Sequence, residues 1–384
     1  VLPRTTASVS RLLAFANDRG ISVTARGGGY GYVGGAVPMT GGIVLSLERM
    51  NRILEINEKD FVAVVQPGVI TEQLQNAVER KKLFYPPDPA SRAHNFIGGN
   101  IATNAGGPRC LKYGVTRDYV LGLEVVLADG RVLRLGGRTH KNKTGFDLVR
   151  LFVGSEGMLG IITQATLKLI PLPPFRATLA AAFGSMSDAV GALQAILAAG
   201  FLPSALELAD QFTLAAAAKY TGSRRLGVCK AHLIVELDGQ ETSVRGELRQ
   251  IEKIVRRFKP QFAERGLGEA ECEKVWQIRR DFSFSLRATG LTKLNQDIVV
   301  PRGRLAELFA FAARLQHRSG LQLACFGHAG DGNIHTNIMV DFKKPGARKR
   351  SDAALDELFR WVLDHDGAIT GEHGIGLAKK RWWP

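Results

Sequence analysis

Three glycine-rich clusters in the first half of the chain restrict its fold more than any other feature. They are RGGGYGYVGG at 26–35, IGGNIATNAGG at 97–107 and GSEGMLG at 154–160. Glycine permits positive φ angles and lets backbone N–H groups approach a ligand without an intervening Cβ, so such loops often bind anions. For the first cluster alone, a glycine-rich turn between strands is the structural alternative. Three clusters in one domain predict one long ligand, with a pyrophosphate group at the first.

The segments around the first cluster predict α/β packing. Apolar spacing indicates two helices and three short strands. The helices lie at 8–16 and 71–80, and the strands at 21–25, 42–47 and 61–66. Thr71 is suited to be the N-cap of the second helix, because its hydroxyl can accept from a backbone N–H of the first turn. The first cluster leads into a strand and not into a helix, which disfavours a nicotinamide-binding Rossmann motif.

A chain of 384 residues predicts more than one domain. Three prolines among residues 171–174 mark the expected end of the first domain. Further strands are predicted at 177–183, 204–208 and 232–237, and helices at 185–199 and 242–258. They predict a sheet with helices on one face, on which the basic helix 242–258 is more typical of a solvated surface than of a binding site. The expected domains are residues 1–174 and 175–345, followed by a C-terminal segment, 346–384.

Composition excludes several classes of protein. With 45% hydrophobic residues and no apolar run of about 18 residues, the chain is expected to be globular and to lack a membrane-spanning helix. Its formal charge of +15 predicts attraction to anions, but the basic residues are scattered without interleaved aromatic residues, so no nucleic-acid partner is expected. The four cysteines include no CxxC pair, which favours a reducing compartment and a cytoplasmic location.

A second concentration of functional residue types lies near the C-terminus. The stretch FGHAGDGNIHTNIMV at 326–340 and the shorter TGEHGIG at 370–376 hold three of the eight histidines. Residues 333–340 read as a strand, in which His335 and Asn337 share one face. His328 precedes His335 by a short glycine turn, and two imidazoles with a carboxylate could bind a divalent metal ion. For each histidine taken alone, a satisfied loop or core position is the alternative.

These motifs together resemble the vanillyl-alcohol oxidase superfamily, with its PCMH-type FAD-binding domain. The resemblance rests on RGGGxGxxGG, PPDPAS at 86–91, IGGNIATNAGG and GSEGMLGIIT at 154–163, in the order found in that superfamily. GHAGDGNIH followed by GEHG resembles the signature of its D-lactate, glycolate and D-2-hydroxyglutarate dehydrogenase branch. The resemblance implies an α+β fold: an FAD-binding domain of two α/β subdomains, and a cap domain with an antiparallel sheet and helices.

The resemblance also implies which residues bind FAD. The expected set is Arg26, Gly27, Gly28, Gly29, Tyr30, Gly31, Gly34, Gly35, Asp88, Ser91, Gly98, Gly99, Asn100, Thr103, Asn104, Gly106, Glu156, Gly160 and Ile162. Individual glycines in this set could instead serve only the geometry of their loops. Tyr30 stands where some members of the superfamily carry a histidine linked covalently to the flavin, so non-covalent FAD is expected.

The same resemblance assigns the chemistry. Arg279, in a WxxR segment, is expected to bind the substrate carboxylate, with Arg280 as the rival; Ser283 shares the face of Arg279. Lys293 and Asn337 complete the expected substrate contacts. The implied metal ligands, with zinc as the expected ion, are His328, His335 and Glu372. His373 is the implied base, and Glu372 and His373 are expected to point to opposite sides.

The expected reaction is oxidation of a D-2-hydroxy acid to the 2-oxo acid, with the hydride passing to flavin N5. The alternatives are another flavin oxidase, an ether-lipid synthase, or a flavin-binding module without turnover. The electron acceptor stays open among quinone, cytochrome, electron-transfer flavoprotein and an iron–sulfur subunit. Peripheral contact with the inner face of a membrane and a homodimer are two further arrangements that the resemblance leaves open. It also predicts that segments before Val1 and beyond Pro384 belong to the family pattern.

Overall fold

A computed structural model describes residues 1–383 and divides the chain into two compact units. The first consists of Val1–Arg109, Tyr113–Leu172 and Glu372–Arg381. The second consists of Cys110–Lys112, Pro173–Gly371, Trp382 and Trp383. The expected C-terminal segment is therefore divided between the two units: residues 346–371 belong to the second unit, and residues 372–381 belong to the first. Within residues 1–383, no helix combines the length and the apolarity needed to cross a membrane.

The chain up to Pro171 forms five helices and nine strands. The helices are α1 (Thr6–Asp18), α2 (Thr71–Glu79), α3 (Ile97–Thr103), α4 (Cys110–Tyr113) and α5 (Leu148–Phe152). The strands are β1 (Val23–Arg26), β2 (Ile43–Ser46), β3 (Ile53–Asn57), β4 (Val62–Val65), β5 (Leu83–Phe84), β6 (Val120–Val126), β7 (Val132–Gly136), β8 (Ile161–Lys168) and β9 (Ile170–Pro171). An antiparallel sheet has the order β3-β4-β8-β6-β7; β1 and β2 form a parallel pair, and β5 pairs with β9.

The core of the first unit lies between this sheet and the helices α2, α3 and α5. All four residues of β4 are buried, and α2 buries Leu74 and Val78 against the same cluster. The predicted helices and strands of this region are found, with ends shifted by a few residues. One detail of the prediction was wrong: Ile70 is the N-cap of α2, and Thr71 is its first residue. The Thr71 hydroxyl instead donates to Asn95 Oδ1 at 2.6 Å, because its fully buried position needs a local partner.

The second unit is built on seven strands that pair only in antiparallel fashion, in the order β13-β10-β12-β11-β15-β16-β14. The strands are β10 (Phe175–Phe183), β11 (Ala205–Asp210), β12 (Ala231–Gly239), β13 (Phe262–Leu267), β14 (Thr292–Val299), β15 (Gln322–Gly327) and β16 (Asn333–Val340). The helices are α6 (Met186–Ala198), α7 (Gln211–Thr221), α8 (Arg224–Gly227), α9 (Glu241–Arg256), α10 (Glu269–Arg287), α11 (Leu305–Ser319) and α12 (Ala347–Asp364).

Helices cover the sheet of the second unit in two groups. α7 and α10 pack together over Ala182, Ala209 and Phe326, whereas α6 and α9 pack with each other and with β10 and β12, and α11 with α6 and α12. The expectation of helices on only one face was therefore incomplete. The reason lies in the strands, since β10, β12 and β16 bury nearly every residue and so present two apolar faces that both need covering.

Candidate functional site

The first two glycine clusters of the first unit lie against each other through their backbones. A Cβ added to Gly27 would stand 3.5 Å from Gly99 Cα, and one added to Gly28 would stand 2.7 Å from the carbonyl oxygen of His94. The second distance is shorter than real Cβ contacts, so a side chain at position 28 would push the loops apart. The first cluster thus needs glycine where β1 leads into its loop.

Other glycines of the same clusters face open space. Within residues 1–383, no heavy atom lies within 4 Å of a Cβ added to Gly31, Gly35 or Gly99. Gly99 lies in the first turn of α3 and is only partly exposed, so a ligand could approach the backbone surface of this turn without meeting a Cβ. Such a surface can receive a long ligand whose charged groups bind backbone N–H donors. The residues of the first unit therefore fit an FAD molecule.

The side chains of several predicted cofactor residues bind other residues of the first unit. Asn100 Nδ2 donates to Thr71 Oγ1 at 2.7 Å, and the Ser91 hydroxyl accepts from Asn95 at 3.0 Å. The Thr103 hydroxyl donates to the Gly99 carbonyl at 3.2 Å. A further group supports the loops by packing or pairing: Asp88, with Arg109 at 3.4 Å; Gly98, whose added Cβ would meet Pro67 at 2.5 Å; Gly160; and buried Ile162. These contacts stabilise the conformation of the loops.

Glu156 holds the segment that follows the GEHG motif. It has a positive φ of 51°, and its two carboxylate oxygens accept from the backbone N–H groups of Ile375 at 2.7 Å and Gly376 at 2.9 Å. The third glycine cluster therefore anchors residues more than 200 positions later in the chain. Its neighbour in the fold, Asn104, also has a positive φ and ends α3, and its side chain accepts from Arg117 N at 2.9 Å.

His373 and Glu372 lie side by side. His373 Nε2 is 3.5 Å from Glu372 Oε1, and the His373 ring is tilted against Tyr32, with centroids 4.8 Å apart. The expectation that the two side chains point to opposite sides is not met. Residues 371–373 form a bend, in which successive side chains are free to converge.

In the second unit, cross-strand register aligns polar side chains on one sheet face. Asp297 is the partner of His335, and Asn295 is the partner of Asn337. His335 and Asn337 share a face of β16, as predicted from its alternation. Asn337 is fully buried and satisfied by the sheet: it donates to Ala324 O and His335 O and accepts from Asn295 at 2.7 Å. The structure therefore gives the Asn337 amide a scaffolding role.

His328 and His335 face each other within this unit. Their ring centroids are 5.4 Å apart, the rings are nearly perpendicular, and both residues are buried. The Nδ1 atom of His328 is hydrogen-bonded to Glu207, a residue of β11 that is 1% exposed. Because one ring nitrogen faces this carboxylate, Nε2 is the nitrogen of His328 that suits a metal ion. The donors of this unit therefore fit a divalent cation.

Glu207 also binds Arg279. The arginine Nε donates to Glu207, and the guanidinium lies over the Phe326 ring at 4.7 Å. Burial raises the pKa of Glu207, but the charge of Arg279 and the hydrogen bonds from His328 and Arg279 outweigh it and lower that pKa to about 2. The carboxylate is therefore ionised. The rival Arg280 is more exposed and pairs with Glu273 at 2.7 Å, so Arg279 is the buried arginine of the two.

The terminal nitrogens of Arg279 form no hydrogen bond to Glu207. Among residues 1–383, neither Nη1 nor Nη2 of Arg279 has a hydrogen-bond partner, although its side chain is only 14% exposed. Nearby, Lys293 donates to the Ser283 hydroxyl at 2.6 Å. Burial lowers the pKa of Lys293 to about 8, with help from Arg287 and Arg279. Two of the predicted substrate residues, Arg279 and Lys293, thus form a cationic cluster with Ser283, and this cluster can bind carboxylates.

Two buried carboxylates of this unit were not predicted. Glu207 has no motif around it beyond the strand ALELAD, in which it stands between two leucines. Asp297 accepts from the Gly371 backbone N–H at 2.9 Å and from the Thr370 hydroxyl at 3.0 Å, which fixes the chain immediately before Glu372. For Glu207, an acidic residue between two leucines of a strand was the available signal. The strand around Asp297, TKLNQDIV, is largely polar and offered no comparable signal.

Comparisons with known proteins cover both units. Residues 1–136 match the family described as FAD binding domain, and residues 172–384 match FAD linked oxidases, C-terminal domain. A glycolate oxidase subunit GlcD of Bacillus subtilis is 40% identical over 379 residues, covering 99% of this chain and 81% of that protein. A D-lactate dehydrogenase of Archaeoglobus fulgidus is 37% identical over 382 residues, covering 99% and 83%.

Solved structures give the same fold. A 4-ethylphenol oxidase from Gulosibacter chungangensis aligns with a TM-score of 0.78 at 23% identity, covering 97% of this chain and 80% of that one. p-Cresol methylhydroxylase aligns with a TM-score of 0.78 at 20% identity, covering 100% and 83%. The fold class predicted from the motifs is confirmed. This chain belongs to the FAD-linked oxidase family: it is an FAD-dependent oxidoreductase with the fold of the vanillyl-alcohol oxidase superfamily.

Proposed function

We propose that this enzyme oxidises a D-2-hydroxy acid of the D-lactate, glycolate or D-2-hydroxyglutarate class to the 2-oxo acid. Relatives named glycolate oxidase and D-lactate dehydrogenase support the reaction class. The observation that carries the proposal is Arg279, a mostly buried guanidinium whose two terminal nitrogens have no hydrogen-bond partner among residues 1–383. A buried guanidinium whose terminal nitrogens are unbonded can donate two parallel hydrogen bonds to a planar anion, and a substrate carboxylate is such an anion.

Arg279 binds and orients the substrate. Two parallel N–H···O bonds to the carboxylate fix the adjacent Cα, which carries the hydroxyl group and the hydride that is lost. Phe326 and Phe282, at 4.7 and 5.9 Å from the guanidinium, limit its movement and exclude water. Ser283 lies one helical turn after Arg279 on α10, and Lys293, on β14, donates to its hydroxyl group. These two residues are suited to a second polar or anionic group on a longer substrate.

His328, His335 and Glu372 are the proposed ligands of a divalent metal ion, and zinc is the expected ion because two imidazoles and one carboxylate suit it. Such an ion, when bound, supplies positive charge beside the substrate oxygens and favours loss of the hydroxyl proton. Asp297 supports this assignment in two ways. It accepts from the Gly371 backbone N–H and so holds the residue that precedes Glu372, and it is the cross-strand partner of His335.

His373 is the proposed base. A neutral imidazole accepts a proton near neutral pH, which suits removal of the hydroxyl proton from the substrate. The Tyr32 ring packs against His373, and Glu156 holds the residues that follow it. FAD, when bound along the glycine clusters, supplies the two-electron acceptor for the hydride leaving Cα. The base and the acceptor thus remove the proton and the hydride separately.

The test is an anaerobic titration of the holoenzyme. D-Lactate, glycolate and D-2-hydroxyglutarate are added separately, and reduction is followed as loss of the visible flavin absorbance. At least one of them should bleach the flavin, whereas L-lactate and L-2-hydroxyglutarate should not. Metal analysis of the same sample should find about one zinc or other divalent ion per chain. Absence of bleaching with every D-2-hydroxy acid and with glycolate would falsify the proposal.

Non-covalent FAD is a separate element of the proposal. Tyr30 stacks on His94, with ring centroids 5.0 Å apart, and a tyrosine cannot form the histidyl linkage known in the superfamily. Acid denaturation followed by filtration should therefore release the yellow colour from the polypeptide. Colour that stays with the polypeptide would contradict this element while leaving the proposed reaction intact.

A small organic substrate and an electron acceptor are both required by an oxidoreductase of this family. We propose a separate redox partner as the acceptor, and the charge of +15 favours an acidic docking surface. The rate with such a partner should fall steeply with salt, because the Debye length is only about 8 Å at physiological ionic strength. An oxidase would instead produce hydrogen peroxide in air without any partner, so a peroxide assay separates the two candidates.

A further inference from the structure

Glu207 is a buried carboxylate that connects two proposed parts of the active site. It lies on β11 and is 1% exposed. One carboxylate oxygen accepts from Arg279 Nε, and the other is hydrogen-bonded to His328 Nδ1. The proposed function uses Arg279 for the substrate carboxylate and His328 for the metal ion, but Glu207 itself contacts neither ligand in that scheme.

We propose that Glu207 is a positioning residue that sets the orientation of both Arg279 and His328, so that the substrate-carboxylate site and the metal site are built around one shared carboxylate. The identity of the two ligands rests on the proposed function. The bridging itself rests on the contacts of Glu207, which lie entirely within the second unit.

On the histidine side, Glu207 selects the tautomer. A carboxylate opposite Nδ1 favours a proton on that nitrogen, which leaves the lone pair of Nε2 available to a cation. It also fixes the rotation of the ring, because an imidazole with one bound nitrogen cannot turn freely about its Cβ–Cγ bond. The His335 ring stands nearly perpendicular to that of His328, at 82°, so two fixed imidazoles face each other.

On the arginine side, Glu207 fixes the direction of the guanidinium. Holding Nε through a charged hydrogen bond leaves the Nη1–Nη2 edge for another anion, as an arginine fork requires. Without that bond, the Phe326 and Phe282 rings would still exclude water but would not fix the rotation of the guanidinium plane. Glu207 also neutralises a charge that burial would otherwise make costly.

Another buried glutamate of the same unit provides a matched control. Glu236, on the adjacent strand β12, is 0% exposed and accepts from Trp276 Nε1 at 2.6 Å. Trp276 belongs to α10, the helix that carries Arg279, and Glu236 also pairs with Arg176 at 3.4 Å. Glu236 thus joins the sheet to the same helix with similar burial, but neither of these contacts involves Arg279 or His328.

The experiment compares Glu207→Gln with Glu236→Gln in the full-length, FAD-loaded protein. Zn²⁺ affinity is measured by competition with a chromophoric chelator. Propanoate, which has the carboxylate but no hydroxyl group, reports on Arg279 through the shift that it causes in the flavin spectrum. Flavin content and Tm report on folding, and the KM and kcat for the hydroxy acid found in the anaerobic titration are measured alongside.

We expect Glu207→Gln to weaken Zn²⁺ binding by about 10- to 100-fold, the usual effect of losing the partner of a metal-bound histidine. Propanoate affinity should fall and KM should rise by about tenfold, since a misdirected arginine loses one or both of its charged bonds. Glu236→Gln should lower Tm by a similar or larger amount, yet leave Zn²⁺ affinity, propanoate affinity and KM within about twofold of the unchanged chain.

If both variants lose stability but neither loses Zn²⁺ or propanoate affinity, Glu207 is only a structural residue and the inference is overturned. If the unchanged protein binds Zn²⁺ and propanoate but oxidises no D-2-hydroxy acid, the proposed reaction fails while the positioning role can still be read from the two affinities. If the unchanged protein binds no divalent metal ion, the inference fails together with the proposed metal site.

A measurement on the unchanged chain covers the case in which Glu207→Gln does not fold. In protein labelled with ¹⁵N-histidine, long-range ¹H–¹⁵N correlation distinguishes the two tautomers, and His328→Gln assigns the signal. We expect a proton on Nδ1 of His328 and a change at Nε2 on addition of Zn²⁺. A proton on Nε2 with Nδ1 responding to Zn²⁺ would overturn the positioning role of Glu207.

Discussion

The two units carry their proposed ligand-binding residues in opposite ways. In the first, the residues that face the expected FAD are glycines, and the polar side chains of the same motifs, such as Asn100 and Glu156, bind the scaffold. In the second, the functional groups are buried charged side chains, Glu207 and Arg279 among them, arranged on a sheet face. Under the proposed function, the first unit would recognise its ligand by backbone shape and the second by charge, so substitutions should act differently in each.

The largest expected effect lies at His373. Replacement by Asn removes the proposed base but keeps a side chain of similar size, so kcat should fall by about 10²- to 10⁴-fold, the usual contribution of general base catalysis. Flavin content should stay normal, because the glycine clusters are untouched. Stopped-flow reduction of the flavin measures this step directly. An unchanged rate of reduction would show that His373 is not the base.

A large effect on substrate binding is expected from Arg279→Lys. Lysine keeps the charge but loses the planar fork, so the two parallel bonds to the carboxylate are lost. The KM should rise by roughly 10- to 100-fold, which corresponds to the one to two charged hydrogen bonds at stake. Arg280→Lys, at the more exposed arginine next to it, is the matched control and should change KM by less than about twofold. Equal effects at both positions would remove Arg279 from the substrate site.

Gly99→Val tests recognition by backbone shape. Its Cβ would enter open space, with no neighbour within 4 Å in the described chain, so the apoprotein should fold normally. The added side chain would occupy part of the FAD site, and an overpacking cost of about 1–3 kcal/mol should weaken FAD binding by roughly 10- to 100-fold. Gly137→Val, also in open space but outside the clusters, is the control. Normal FAD affinity in Gly99→Val would place the cofactor elsewhere.

The smallest effect is expected at Lys293, and it depends on pH. With its pKa near 8, Lys293 is charged below pH 8 and neutral above it. The kcat/KM for D-2-hydroxyglutarate, divided by that for D-lactate, should therefore fall as pH rises above 8 and level off after a total loss of about tenfold, because only the former has a second carboxylate. The ratio cancels pH effects on the base.

Lys293→Met should lower the same ratio by about tenfold at pH 7 and abolish its pH dependence. Lys274→Met, at an exposed lysine of α10, is the control. Because the folded pKa lies below the ordinary value of 10.5, charged Lys293 also costs stability at neutral pH, and this cost should disappear between about pH 8 and 10.5. A ratio that is independent of pH and of Lys293 would indicate a monocarboxylic substrate.

The sequence predicted the strands and helices whose patterns are local. β16 was predicted with its observed ends, and the alternation within it correctly gave His335 and Asn337 one face. Thr71 was wrongly expected to cap α2, because the competing partner, Asn95, lies 24 residues away. The helices on the second face of the large sheet were also missed, since the burial of a strand on both faces cannot be read from a short apolar run.

By itself, the sequence determined the glycine clusters, the fold family that they imply and the residue types of the proposed centre, because each of these is carried by contiguous residues. Only the tertiary structure decided how they are supported. It brought Glu207 to Arg279 and His328, Glu156 to the segment after GEHG, and Asp297 to Gly371. These contacts join residues 72 to 219 positions apart, and no local spacing encodes a partner at that distance. A buried charge needs a partner of opposite charge, and the packing of the fold, not the local sequence, determines which residue that partner is.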